Sequence, residues 1–159
     1  MPNISNMKHI YAMEAGPADG PSIFLAGPSP RGKGEHDWRK PACAWLDAAG
    51  FSGSVFIPLP RDGVYRPDYD HAAQIDWELE YLEKAGIIVF WIPRDLEALP
   101  GFTTNVEFGR FSRSGRALLG YPEHAPKMRY LHHIAKLDGV PVFHTLEATL
   151  SAALRRLDI

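Results

Sequence analysis

The sequence predicts an α/β protein: a parallel β-sheet covered by helices on both faces. Three observations carry this. Short apolar runs alternate with longer segments of helical periodicity about five times along the chain. One run, residues 87–92 (IIVFWI), is apolar throughout, as a strand buried on both sides requires. The 14 glycines and 14 prolines gather between the apolar runs, so elaborate loops are expected on a regular scaffold.

The elements follow in order. Residues 1–7 carry no pattern, and a short strand is expected over 9–13, which makes 1–21 an N-terminal extension or an edge strand. GPADGP (16–21) is a turn cluster, and SIFLA (22–26) is a buried strand bounded by turn residues. The loop GPSPRGKG (27–34) comes next. Residues 36–49 read as a helix, with Trp38, Ala42, Trp45, Leu46 and Ala49 on one stripe, Pro41 near the start and Gly50 at the stop. Residues 54–57 form a strand, and the loop 58–67 carries Arg61, Asp62, Tyr65 and Arg66. Helix 70–85 has an apolar stripe of Ile75, Leu79 and Leu82 and leads into the central strand 87–92. After the loop 93–102, a helix opens at Thr103 or Thr104 and runs to about residue 114. Strand 117–119, helix 125–136, strand 140–143 and helix 146–157 complete the chain. The alternation implies right-handed crossovers in a five-stranded parallel sheet. A flavodoxin-like three-layer sandwich of order 2-1-3-4-5 is expected, as one domain over residues 1–159.

Bulk properties narrow the function. A chain of 159 residues has the length of one ordinary domain. A net charge of −2, with both signs mixed along the chain, gives no general attraction to a nucleic acid polymer or an anionic membrane. No apolar run approaches the roughly 18–20 residues that span a bilayer. Lys8 is followed by no long apolar stretch, so no secretion signal is read. The single cysteine, Cys43, permits no intrachain disulfide, which fits a reducing, cytoplasmic compartment. It lies among small and apolar residues and reads as a core filler.

In such a sheet, ligands bind outside the carboxyl ends of the strands, at the switch point between the first and third. Three loops should meet there: 27–34, 58–67 and 93–104. In the first, Gly27 permits close backbone approach, Ser29 offers a hydroxyl and Arg31 a forked cation for a phosphate or sugar. Thr104-Asn105-Val106-Glu107 fits a capping box, threonine followed three residues later by glutamate. The same glutamate, kept anionic by the helix dipole at a pocket rim, suits attack on an electron-poor sugar carbon. Asp76 and Glu78 precede the central strand and, beside Glu80 and Glu83, read equally as solvated surface charges. Trp91 and Phe102 are positioned to stack on a base or to fill the core. No ligand set has metal spacing, and no metal, redox or other cofactor is expected.

SIFLAGPSPRG, the pair Trp77-Glu78 and above all IIVFWIPR…LPGFTTNVEFGR resemble the nucleoside 2-deoxyribosyltransferase-like proteins. The resemblance spans roughly residues 22–150. It implies the same sheet and, as activity, cleavage or transfer at the N-glycosidic bond of a (2-deoxy)ribonucleoside or nucleotide. By resemblance Glu107, in VEFG, is the nucleophile. Glu78, or Asp76 beside it, handles the base or sugar, and the loop of Gly27, Pro28, Ser29 and Arg31 faces the sugar and any 5′-phosphate. Trp91, Phe102, Thr104 and Asn105 complete the substrate contacts. Two departures keep transfer and hydrolysis both open. Pro28 and Pro30 stand where the transferases have an aromatic residue, and GFTTNV lacks the aspartate that precedes their nucleophile. The alternatives are a nucleoside 5′-monophosphate hydrolase and a non-catalytic nucleotide-binding module. By analogy a homo-oligomer is expected, with a small-molecule nucleoside or nucleotide as partner.

Overall fold

The computed structural model describes residues 5–17, 19–30 and 36–159. Six strands form one sheet: β1 (Lys8–Tyr11), β2 (Ser22–Ala26), β3 (Ser54–Ile57), β4 (Ile87–Trp91), β5 (Ala117–Gly120) and β6 (Val142–Phe143). Their order is β1-β3-β2-β4-β5-β6, and every neighbouring pair is parallel. Without β1, this is the predicted five-strand order. The N-terminal segment adds a sixth strand, an edge that pairs Ile10 with Phe56 and Tyr11 with Ile57 of β3.

The helices are α1 (Arg39–Ala48), α2 (His71–Lys84), α3 (Phe102–Phe111), α4 (Arg129–Asp138) and α5 (Leu146–Arg156). Alternation along the strands divides the core in two. Ile23, Leu25, Val55, Ile57, Ile87, Val89 and Trp91 pack with Ala42 and Leu46 of α1 and Leu150 and Ala153 of α5. Phe24, Ala26, Phe56, Ile88 and Phe90 pack with Trp77, Tyr81 and Leu82 of α2, Phe108 and Phe111 of α3 and Leu131 and Ala135 of α4. Both faces are covered, which explains the uninterrupted apolar run in β4. Cys43 is buried on the α1 side, and burial pushes its thiol up to about 11. Among the described residues, no helix is long and apolar enough to cross a membrane.

Two helix starts and one helix face differ from expectation. α4 starts at Arg129, after residues 122–128 spend their backbone in a turn, with Ala125 N–H donating to Pro122 and Lys127 at φ 60°. α3 starts at Phe102, one residue before the two threonines considered, with Gly101 at its N-cap in the left-handed region (φ 70°). The core stripe of α2 is Trp77, Tyr81 and Leu82, and Ile75 is exposed instead. The swap follows from the aromatic packing: Trp77 lies against Phe24 and Tyr81 against Phe56.

α2 is also tied to the N-terminal segment. Trp77 Nε1 donates to the Glu14 carbonyl at 2.8 Å, and the Gly16 N–H donates to the Tyr81 hydroxyl at 2.8 Å. A Cβ on Gly16 would lie 2.6 Å from the Phe56 ring, so only glycine lets the segment approach this closely. At the head of α2, the Asp70 side chain accepts from the Ala73 N–H, satisfying one of the first-turn amides.

Candidate active site

β2 is flanked by β3 on one side and β4 on the other, so the loops leaving these strands diverge at its carboxyl end. There a cavity of about 660 Å³ opens, lined by Gly27–Ser29 after β2, Pro58 after β3, and Pro100–Thr104 leading into α3. α2 and α3 supply its walls. This volume is in the range of small-molecule sites.

Two carboxylates face this cavity. Glu107 lies in the second turn of α3, and Glu78 in the second turn of α2. Both are half-buried. Burial pushes Glu78 up to about 7, opposed by the neighbouring Gln74 amide and by the Arg39 charge. Glu107 is pushed up to about 8, by burial first and then by Glu78, with Arg39 opposing. Loss of hydration raises both, and Glu78, which ionises first, raises Glu107 further, so their titrations are linked.

The capping box is not formed. The N-cap of α3 is Gly101, with no side-chain hydrogen bond, and Thr104 is a buried residue inside the first turn that lines the cavity. Glu107 is therefore a turn too late to cap. Its carboxylate is governed by burial, not by the helix dipole expected to keep it ionised.

The structure brings Gly27, Pro28, Ser29, Glu78, Phe102, Thr104 and Glu107 to the cavity. It separates three other candidates from it. Asp76 is exposed and lies outside the lining, because residues two apart on a helix point to opposite sides. Trp91 is buried in the core on the α1 and α5 side, where its ring would touch any Cβ placed on Gly120. Asn105 is engaged by the buried Arg94, which also donates to the Lys127 carbonyl at 3.0 Å. Arg31 lies outside the described residues.

Several lining residues were not singled out from the sequence. Gln74, one turn before Glu78, is buried and donates through Nε2 to the Pro58 carbonyl and to the Tyr65 hydroxyl, each at 3.1 Å. Tyr69 donates to its Oε1. Tyr65, Tyr69 and His71 form an aromatic cluster with ring centroids 4.8–5.3 Å apart, and Tyr65 and His71 line the cavity. Across from them stands Phe102, a residue already expected at the site, 71% exposed on α3. Arg39 lies behind this wall at 1% exposure. Its position was legible: residues 39, 42, 43 and 46 share one face of α1, and all four are buried.

A family model described as "Nucleoside 2-deoxyribosyltransferase like" matches residues 20–125, two thirds of the chain, a span that contains all the residues named as lining the cavity. The chain belongs to this family. The nucleoside 2-deoxyribosyltransferase-like segment contains β2 to β5 and both cavity carboxylates, whereas β1, α4, β6 and α5 lie outside it. Among solved structures, a conserved protein from Enterococcus faecalis V583 is similar with a TM-score of 0.65 at 12% identity, over 86% of this chain and 98% of that one. This likeness supports the flavodoxin-like arrangement alone. The apo form of an NADH:FMN oxidoreductase aligns at a TM-score of 0.48 and 16% identity over 87% of each chain. No curated protein matches the sequence.

Proposed function

We propose that this protein cleaves or transfers at the N-glycosidic bond of a (2-deoxy)ribonucleoside or nucleotide, through a glycosyl ester on Glu107. The observation that carries this reading is the Glu78–Glu107 pair, two carboxylates raised by burial on facing helices of one cavity. Raised, coupled carboxylates in a cleft are what acid–base and nucleophilic work requires. Family membership supports the bond class.

With one proton on the pair, the resting site holds it mainly on Glu107, the more strongly raised of the two; in the proposed mechanism the reacting form is the other arrangement, in which that proton has passed to Glu78 and Glu107 is ionised. Glu107 attacks C1′ as the C1′–N bond breaks through an oxocarbenium-like transition state. The bond's electron pair stays on the base nitrogen. The Glu78 proton passes to the base, leaving Glu78 ionised and C1′ esterified to Glu107. Water or a second base then attacks C1′ from the opposite side and gives its proton to Glu78, and the C1′–O electrons return to Glu107. Two inversions give net retention. A 2′-deoxy sugar reacts more readily, lacking an electron-withdrawing hydroxyl beside the developing cation. Tyr65 and His71 on one wall and Phe102 on the other offer aromatic surface to the base.

The test is a panel of nucleosides and 5′-nucleotides incubated with and without an acceptor base. Base exchange identifies a transferase, free sugar a hydrolase, and a requirement for the phosphate a monophosphate hydrolase. Binding without turnover across the panel would leave a non-catalytic module and end this reading. Within it, the two acids of α2 separate cleanly. Glu78→Gln removes the acid and should lower kcat by on the order of 10²–10³. Asp76→Asn should leave steady-state rates unchanged, since that side chain faces solvent.

A further inference from the structure

Arg39 is the least expected residue near the cavity. A fully buried guanidinium is costly unless its donors and its charge are both answered. Its donors are answered by the first loop: Nε donates to the Leu25 carbonyl at 3.0 Å, one terminal nitrogen to the Gly27 carbonyl at 2.7 Å, and the other to Ser29 Oγ at 3.1 Å. The preceding residue joins in, with Trp38 Nε1 donating to the Pro28 carbonyl at 3.0 Å. Three consecutive residues of the cavity floor are thus held by one dipeptide at the head of α1. A Cβ on Gly27 would lie 2.1 Å from the Trp91 carbonyl oxygen and 2.8 Å from the Trp38 ring, so the loop has no room to shift.

The charge is answered less directly. The closest carboxylate, Asp37, is 3.6 Å away and partly exposed. The other groups whose charge acts on Arg39 are the Glu107 and Glu78 carboxylates and, least, the Tyr65 hydroxyl.

We propose that Arg39 is the positioning residue of this site, fixing the Gly27–Ser29 floor and supplying the buried positive charge that lets the Glu78–Glu107 pair carry one negative charge. The consequence for catalysis rests on the reading of that pair as the reacting carboxylates; the electrostatic claim does not. Among the described residues, the groups around the pair are Arg39 from α1, Asp37 two residues before it, Tyr65 and Tyr69 from the loop after β3, Gln74 and His71 from α2, and Arg110 from α3. Arg39 alone among them is a buried cation.

The variants are Arg39→Gln, which removes the charge but can still donate to the loop carbonyls, and Arg39→Lys, which keeps the charge but cannot span three acceptors. The pair's ionisation is followed without substrate by carboxyl ¹³C NMR, with Glu78→Gln and Glu107→Gln assigning the signals. In R39Q the first ionisation should move up by about one pH unit, and base release at pH 6 should fall about tenfold. In R39K the titration should stay near that of the wild type while KM rises several-fold, because the floor is loosened. Titration of R39Q superimposed on the wild type overturns the proposal. If R39Q does not fold, R39K decides: a full-unit shift despite the retained charge rejects it. A shift as expected in a protein whose wild type releases no base would leave Arg39's role standing and remove the catalytic reading.

Discussion

Glu107→Gln abolishes base release, with a loss on the order of 10³-fold or more in kcat when the residue is the covalent nucleophile. Glutamine is close in size and keeps the packing of α3, so the loss is not one of fold. Rapid quenching of the wild type with a 2′-deoxynucleoside should trap a mass increase of one deoxyribosyl group on the peptide containing Glu107. The variant should show none. Near wild-type turnover in E107Q would remove Glu107 from the chemistry, however well the cavity binds nucleosides.

The same substitution should make the protein more stable at alkaline pH. In the folded chain Glu107 titrates near 8, and in the unfolded chain near 4.5. Between these values the native state holds a proton that the unfolded state has released. Stability from this group is therefore complete below about pH 4.5 and is lost as pH rises through 8. Glutamine takes no part in this titration. E107Q and wild type should melt together near pH 4.5, and E107Q should be the more stable at pH 8 by on the order of 2 kcal/mol, the partial exposure of the side chain being allowed for. Thermal melts at the two pH values measure it. A glutamate capping the first turn would behave oppositely, since its ionised form is favoured there, and glutamine would cost a few tenths of a kcal/mol above about pH 5. The gain at pH 8 would be a site built at the expense of the fold.

How far the sequence reaches differs between scaffold and site. Turn residues around SIFLA and the apolar run 87–92 mark the central strands, and their order follows from alternation with helices. Topology then points to the right loops before any motif is used. Side-chain direction is harder. A strand apolar on both faces has no alternation to read, so Trp91 looked free to enter the pocket when its parity with Ile87 and Val89 sends it to the other side. On α2 the reverse holds: residues 74, 78 and 81 share a face by helical spacing, which admits Glu78 and rejects Asp76. Threonine and glutamate at capping spacing point to a helix start, but Gly101 takes that place because its backbone already turns there. Arg39 went unnoticed because a charged residue at a helix start is usually solvated; its neighbours on the stripe held the clue.

The strand and turn that precede residue 20 fall outside the segment the family shares, yet two of their backbone groups hold Trp77 and Tyr81 on either side of Glu78. Trimming the protein to its shared segment would leave α2 without those moorings and open its inner surface to water. The acid on that helix would then regain ordinary hydration and lose its reluctance to ionise. A minimal version of this protein would thus keep every residue assigned to bond cleavage and still surrender the condition under which they work.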